Sequence, residues 1–111
     1  MVNKENTRHY TWGNNCDSWI MVDTEGLSVK QELMPPGTNE ELHVHEKARQ
    51  FFFVLNGTAV FYVNGQKQII SAQQGLSILP GTNHFIANES NENLEFLVIS
   101  QPSTTNDRQN I

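Results

Sequence analysis

The sequence predicts an all-β fold, either a sandwich or a closed barrel. Short apolar or alternating stretches follow one another from about Trp19 to Ser100, and Gly, Pro and Asn residues separate them. No segment keeps an apolar period of about 3.6 residues, so no major helix is expected. The roughly seven or eight strands that this spacing allows are typical of a sandwich or barrel.

A chain of 111 residues is long enough for one domain with its own core. We expect a single domain over residues 1–111, with a barrel core at about 19–101 between a polar N-terminal segment (1–15) and a polar, loosely packed tail (102–111). The net charge of -5 comes without a basic cluster. Nucleic-acid binding is therefore not expected, because it depends on Lys and Arg.

The composition also bears on location. The chain has no apolar run of about 20 residues that would cross a membrane. Residues 1–10 are polar and lack the apolar centre of a signal peptide. Cys16 is the single cysteine, so no internal disulfide can form. These features favour a cytoplasmic protein without membrane contact.

Eight segments have the pattern of strands. They are 19–22, 27–34, 50–55, 58–63, 67–71, 76–79, 84–88 and 94–100. Segment 27–34 alternates as a half-buried strand does, and Pro35-Pro36-Gly37 ends it. Asn56-Gly57 and Asn64-Gly65 each lie between two such segments, and each pair predicts a hairpin.

Segment 50–55 is apolar on both faces. Phe52 and Val54 share the parity of Gln50 and should point inward, which leaves Phe51 and Phe53 on the outside. A strand with one wet face should alternate apolar and polar residues. Either the N-terminal segment or a second subunit must cover the outer face, and we expect a homodimer.

Three of the four histidines form a pattern that suits metal binding. His43 and His45 lie two residues apart, so on a strand both imidazoles point to the same face. His84 follows the turn at Pro80-Gly81, which could bring a third imidazole back from another strand. His9 lies in the polar N-terminal segment and is expected at the surface.

These residues resemble the motifs of the cupin family. The first motif is matched in spacing by Gly37, His43, His45, position 50 and Gly57, and the second by Gly81, His84 and Asn88. Leu79 stands where the second motif usually has Pro, and Gln73-Gln74 stands where it usually has Gly-Asp. The resemblance covers about residues 25–100 and implies a double-stranded β-helix, or jelly-roll barrel.

The resemblance also implies one divalent metal ion held by His43, His45 and His84. The usual fourth ligand is a carboxylate, which Gln50 replaces here. Gln50 either coordinates through its amide oxygen or hydrogen-bonds to a metal-bound water or substrate. Imidazole ligands disfavour Mg and Ca, which leaves Zn, Fe, Ni, Mn or Cu.

The sequence is compatible with several functions of the predicted metal site. The resemblance implies a metal-dependent enzyme for a small polar metabolite, either a dioxygenase or an isomerase or lyase. The alternatives are a non-catalytic binding module or sensor and a metal-storing or structural dimer, because cupins host all of these. Replacing the carboxylate by Gln50 removes the obvious general base and favours oxygenase-like chemistry. No catalytic residue is assigned.

Several further side chains are candidates for contact with a ligand. The predicted substrate-binding residues are Met34, Phe52, Phe61, Asn88 and Phe96. Core packing is the alternative role for the aromatic ones. Lys30 and Glu32 share one face of segment 27–34, and they lie either at the barrel mouth or on a solvated surface. Cys16 is expected to be a small buried hydrophobe.

Overall fold

The computed structural model describes every residue from Met1 to Ile111 and contains eleven strands. They are β1 (His9–Trp12), β2 (Cys16–Asp23), β3 (Ser28–Met34), β4 (His43–His45), β5 (Arg49–Asn56), β6 (Thr58–Val63), β7 (Gln66–Ser71), β8 (Gly75–Ile78), β9 (His84–Ala87), β10 (Leu94–Gln101) and β11 (Arg108–Asn110). The structure has no helix that could span a membrane.

The strands form two antiparallel sheets. The six-stranded sheet has the order β1-β2-β3-β10-β5-β8, and the five-stranded sheet has the order β11-β4-β9-β6-β7. A cluster of eleven buried apolar residues, with Phe61 and Phe96 among the largest, fills the space at one end between them. The architecture is a double-stranded β-helix, which confirms the all-β prediction.

Strand β5 faces inward as its parity predicts. Gln50, Phe52 and Val54 are buried, whereas Phe51 on the opposite face is 40% exposed. The inward position of Gln50 brings it beside Ser100 of β10 in the antiparallel register.

Strand β3 has its polar face inside. Lys30 and Glu32 line an open cavity between the sheets, whereas Val29 and Leu33, at alternate positions of the same strand, point outward and are partly buried. Of the two predicted locations for Lys30 and Glu32, the barrel mouth is therefore correct and the solvated outer surface is not. An inward polar face breaks the usual pattern of an apolar interior, and such exceptions are expected at functional sites.

The outer face of the six-stranded sheet is partly covered by the N-terminal segment. Lys4 places its Nζ 4.3 Å from the ring centroid of Trp19 and also pairs with Glu95. Phe51 stays exposed, however, and its ring lies 6.4 Å from that of Phe53. The segment therefore covers only part of this face, and the homodimer stays a prediction.

One of the two predicted hairpins is confirmed. Strands β6 and β7 pair through Val63 and Gln66, and Asn64 and Gly65 have φ values of 50° and 80°, as a two-residue type I′ turn requires. The hairpin predicted at Asn56-Gly57 is wrong, because β5 and β6 belong to different sheets.

Gly57 carries the chain from one sheet to the other. Its φ is +88°, and a Cβ at this position would lie 2.5 Å from the backbone oxygen of Asn93. The positive φ disfavours any residue with an L side chain, and the short distance to Asn93 excludes a Cβ unless the backbone moves.

Gly57→Ala is expected to lower the free energy of unfolding by about 2–4 kcal/mol, since strain and a backbone clash add. Gly65→Ala is the matched control, because Gly65 has a similar φ of +80° and nothing within 4 Å. It should cost only about 1 kcal/mol. Urea denaturation of the metal-free proteins measures both, and equal losses would show that the contact with Asn93 is unimportant.

The C-terminal tail is ordered, so the expectation of loose packing at 102–111 is wrong. Strand β11 pairs with β4, with Arg108 opposite His45. The carboxylate of Asp107 accepts backbone N–H bonds at 3.1, 3.1 and 2.9 Å from Glu46, Lys47 and Ala48. These bonds fix the tail to the turn after β4 and bring Arg108 to the cavity.

Candidate metal centre

The three predicted histidines come together between the sheets. His43 and His45 lie on β4, and His84 on β9 is the cross-strand partner of His43. One nitrogen of each ring lies within 4.8 Å of the others, and none of the side chains is more than 5% exposed. This cluster is the one place in the chain where three potential metal-binding groups converge in this way.

Backbone carbonyls orient two of the rings. Nδ1 of His43 is 2.8 Å from the carbonyl oxygen of Glu41, and Nδ1 of His84 is 2.9 Å from that of Thr82. A carbonyl oxygen only accepts hydrogen bonds, so each Nδ1 carries the hydrogen and each Nε2 keeps a free lone pair. This is the usual arrangement of a metal-binding histidine.

The third ring has an unpaired buried nitrogen. Nδ1 of His45 is buried and has no hydrogen-bond partner. The strand itself is held firmly, because the N–H of Gly81 donates to the carbonyl of His45 at 2.8 Å. Buried polar atoms without partners are uncommon and call for an explanation, such as an ion.

Burial keeps the three imidazoles neutral at pH 7. It lowers the pKa of His43 to about 3 and that of His45 to about 4, and it also lowers the pKa of His84. The positive charge of Arg108 lowers all three further. Neutral imidazole is the form that binds a metal ion, so protons do not compete for these nitrogens near pH 7.

Gln50 completes the cluster. Its Oε1 lies 3.2 Å from Nε2 of His84, and its Nε2 donates to Oγ of Ser100 at 3.1 Å. Because Nε2 of His84 has no hydrogen, two electron-pair donors face each other. That contact is unfavourable alone and becomes favourable around a cation. The three imidazoles therefore fit one transition-metal ion, and the amide of Gln50 lies beside them.

Gln50→Glu tests whether position 50 faces the ion. A carboxylate is a stronger ligand than an amide, so metal affinity is expected to rise by roughly tenfold or more. Gln66→Glu makes the same charge change at an exposed position of β7 and should have little effect. Competition with a chelator measures both. An unchanged or weaker affinity for Gln50→Glu would contradict coordination by this side chain.

His43, His45 and Gln50 line an open cavity of about 770 Å³, whereas the buried His84 is not part of its lining. Only four of its nineteen lining residues are hydrophobic. Phe52 is the single predicted aromatic contact that reaches it. Its polar walls come from β3 and β10 on one side and from the 39–41 segment and β11 on the other. The cavity is therefore suited to a polar ligand beside the metal centre.

The other predicted substrate contacts lie elsewhere. Met34, Phe61 and Phe96 are fully buried in the apolar cluster, where the two sheets pack directly against each other. Asn88 is also buried, and its amide donates to the backbone oxygens of Met34 and Glu92 at 2.9 and 2.7 Å. These four side chains stabilise the barrel and do not line the cavity. His9 is at the surface and Cys16 is buried, as expected.

Two cavity residues were missed by the sequence patterns. Arg108 lies in the tail that was expected to be loose, and its Nη1 is 3.7 Å from Oε2 of Glu40. Oε1 of Glu40 accepts the N–H of Ile86 at 3.1 Å and lies 4.0 Å from Nδ1 of His43. No motif position marks either residue.

The cavity therefore contains carboxyl groups although Gln50 replaces the expected one. Burial raises the pKa of Glu40 to about 8, against the opposite effect of Arg108. Burial also raises the pKa of Glu32. Position 50 supplies no general base, as the sequence indicates, but the carboxyl groups of Glu32 and Glu40 line the cavity.

Comparison with known proteins identifies the family. Residues 31–100 match the family model described as the cupin domain. The chain belongs to the cupin family. The motif resemblance seen in the sequence is thereby confirmed.

The alignment with this cupin covers most of one relative and only a small part of another. It is 36% identical over 84 residues to an oxalate-binding protein of Thermotoga maritima, covering 71% of this chain and 69% of that protein. It is 30% identical over 100 residues to a putative mannose-1-phosphate guanylyltransferase of Vibrio cholerae. That match covers 90% of this chain but only 21% of the longer protein.

A solved structure shows the same fold. The structure of a predicted oxalate decarboxylase from Thermotoga maritima superposes with a TM-score of 0.84 at 23% identity, covering 93% of this cupin and 99% of that chain.

Proposed function

We propose that this cupin binds one divalent transition-metal ion through His43, His45, His84 and the amide oxygen of Gln50, and that the centre holds a small chelating carboxylic acid. The observation that carries the proposal is the convergence of three neutral, buried imidazoles, two of which line an open polar cavity. Such a ligand set suits Zn, Fe, Ni, Mn or Cu. When bound, the ion supplies a Lewis acid for the oxygen atoms of the ligand.

The charges around the centre favour an acid. Arg108 lines the cavity and stands opposite His45 in the register of β11 and β4, and its side chain is 40% exposed. Its guanidinium also contacts Asn110 and the backbone oxygen of Glu41, which hold it in place. Guanidinium groups bind carboxylates through paired hydrogen bonds. The 36% identity to a protein described as oxalate-binding supports the same ligand class.

Calorimetric titration with oxalate tests this function. Oxalate is expected to bind the metal-loaded protein, and binding should be at least roughly tenfold weaker in Arg108→Met because a charged hydrogen-bond donor is lost. Arg8→Met is the matched control, since Arg8 pairs with Asp23 at the surface. Equal binding to the metal-free protein, or no binding to the metal-loaded protein, would contradict the proposal.

A second candidate is catalysis by proton transfer, as in an isomerase or lyase. It is favoured by the carboxyl groups of Glu32 and Glu40 in the cavity wall. Exchange of solvent deuterium into the carbon next to the carboxylate of a bound hydroxy acid would support it, if Glu32→Gln or Glu40→Gln abolishes the exchange. Without exchange, the binding module or sensor is the better description.

We also propose a homodimer, formed through the outer face of the six-stranded sheet. Because the N-terminal segment leaves Phe51 exposed beside Phe53, a second copy is the occupant that we expect. Analytical ultracentrifugation of Phe51→Ser should then show a monomer. Ile69→Ser, at an apolar position of β7 that is 61% exposed, should leave the dimer intact. A monomeric wild type would contradict the proposal.

A further inference from the structure

The wall of the cavity beyond the metal centre is polar where a barrel interior is normally apolar. Ser28, Lys30 and Glu32 occupy alternate positions of β3 and line the cavity. Ser18 of β2 stands directly opposite Glu32 in the register. Sequences that specify only a packed core place apolar residues at such positions, so this wall needs another explanation.

Neighbouring side chains hold this wall in place. Nζ of Lys30 donates to the hydroxyl oxygen of Tyr10 at 3.0 Å. The fully buried hydroxyl of Ser18 stands opposite Glu32 in the register and does not itself line the cavity. Lys30 and Glu32 are therefore the charged side chains of β3 that a ligand in the cavity would meet.

We propose that Ser28, Lys30 and Glu32 form a second subsite, which binds the hydroxyl groups of a polyhydroxylated carboxylic acid. The inference rests on the proposed function, in which the carboxylate end of the same ligand lies at the metal centre.

The mixture of groups distinguishes hydroxyls from other ligand chemistry. A hydroxyl both donates and accepts, and the subsite offers the ammonium of Lys30 as a donor beside the carboxyl group of Glu32. An apolar tail would leave these polar groups without partners.

The size of the cavity agrees with a ligand longer than oxalate. Its volume of about 770 Å³ is typical of sites for larger organic molecules, of which a two-carbon dicarboxylate would fill a small part.

Register connects the subsite with the metal centre. Gln50, Ser100 and Ser28 form one cross-strand row that leads away from the histidines. Lys30 and Glu32 follow Ser28 on the same face, about 7 and 13 Å further along β3. An extended hydroxylated chain bound at the ion by its carboxylate therefore has donors and acceptors along its path.

Gluconate and 2-hydroxyhexanoate test the subsite. Both have six carbons and the same chelating hydroxy-acid end, and only gluconate has hydroxyls along the rest of its chain. Calorimetry on the metal-loaded protein is expected to show that gluconate binds at least roughly tenfold more tightly than 2-hydroxyhexanoate, because its hydroxyls form several buried hydrogen bonds. Equal affinities would overturn the inference.

Variants then show which residues cause the preference for gluconate over 2-hydroxyhexanoate. Lys30→Met and Glu32→Gln are each expected to remove most of the preference for gluconate. Lys67→Met and Glu92→Gln make the same changes at exposed positions and should keep it. Metal content close to that of the wild type shows that each variant has folded. A full preference in both Lys30→Met and Glu32→Gln would also overturn the inference.

The oxalate titration distinguishes failure of the subsite from failure of the proposed function. If oxalate binds the metal-loaded protein and gluconate shows no preference over 2-hydroxyhexanoate, the subsite is wrong and the proposed function stands. If none of the three acids binds, both fail.

Discussion

Replacing His45 by alanine is expected to reduce bound metal from about one ion per chain to less than about a tenth of that value. The change removes one of three imidazoles and leaves His43 and His84 with a weaker, incomplete site. His9→Ala is the matched control, because His9 is an exposed histidine that pairs with Asp17 outside the cluster. Elemental analysis after dialysis against a weak chelator measures the metal content of each protein.

The stability of the metal-free variants separates loss of a ligand from loss of the fold. Nδ1 of His45 makes no hydrogen bond, so metal-free His45→Ala should unfold at nearly the same urea concentration as the metal-free wild type, apart from a cavity cost of about 1–2 kcal/mol. Adding metal should stabilise the wild type strongly and the variant little. A folded His45→Ala protein that retains a full equivalent of metal would place the ion elsewhere.

Metal affinity is expected to fall by less than about tenfold between pH 7 and pH 5, whereas three exposed imidazoles of ordinary pKa would lose roughly 10⁴-fold. The reason is that burial lowers the pKa of His43 to about 3 and that of His45 to about 4, and lowers that of His84 as well. In the folded protein, His43 and His45 therefore take up protons only at a pH below 5. Chelator competition at several pH values measures the affinity, and a loss of about 1,000-fold or more would contradict the prediction.

Unfolding is a less direct measurement of these pKa shifts, because two effects have opposite signs. In the unfolded chain the histidines bind protons below about pH 6.5, which the folded cluster does not, so acid destabilises the metal-free protein by about 2 kcal/mol for each of His43 and His45 at pH 5. The carboxyl group of Glu40, with a folded pKa of about 8, keeps its proton in the folded state, so the same change of pH favours folding there. Glu40→Gln should therefore make the metal-free protein more sensitive to acid than the wild type.

The parts of the site that the sequence predicted correctly depend on short-range patterns. His43 and His45 share a face because strand side chains alternate, and the parity of Gln50 with Phe52 put the amide inside the barrel. The turn at Asn64-Gly65 follows from two residues that tolerate positive φ. Each of these signals is contained within a few residues and needs no knowledge of the other sheet.

The parts that were missed depend on contacts between distant segments. Strand β11 has no apolar alternation and is held by pairing with β4 and by the N–H bonds to Asp107, so nothing in the tail itself indicates Arg108 as a cavity residue. Asn56-Gly57 looks like a hairpin locally, yet the contact of Gly57 with Asn93 directs the chain to the other sheet. The alternation of β3 predicted a strand without showing that Lys30 and Glu32 face inward.

Anomalous diffraction from crystals of the metal-loaded protein, recorded at the absorption edge of the bound metal, locates the ion directly. We expect a single strong peak at about 2.0–2.2 Å from one imidazole nitrogen each of His43, His45 and His84, with the amide oxygen of Gln50 as the next protein ligand. No peak at this cluster in a crystal of metal-saturated protein, or a peak held by other side chains, would contradict it.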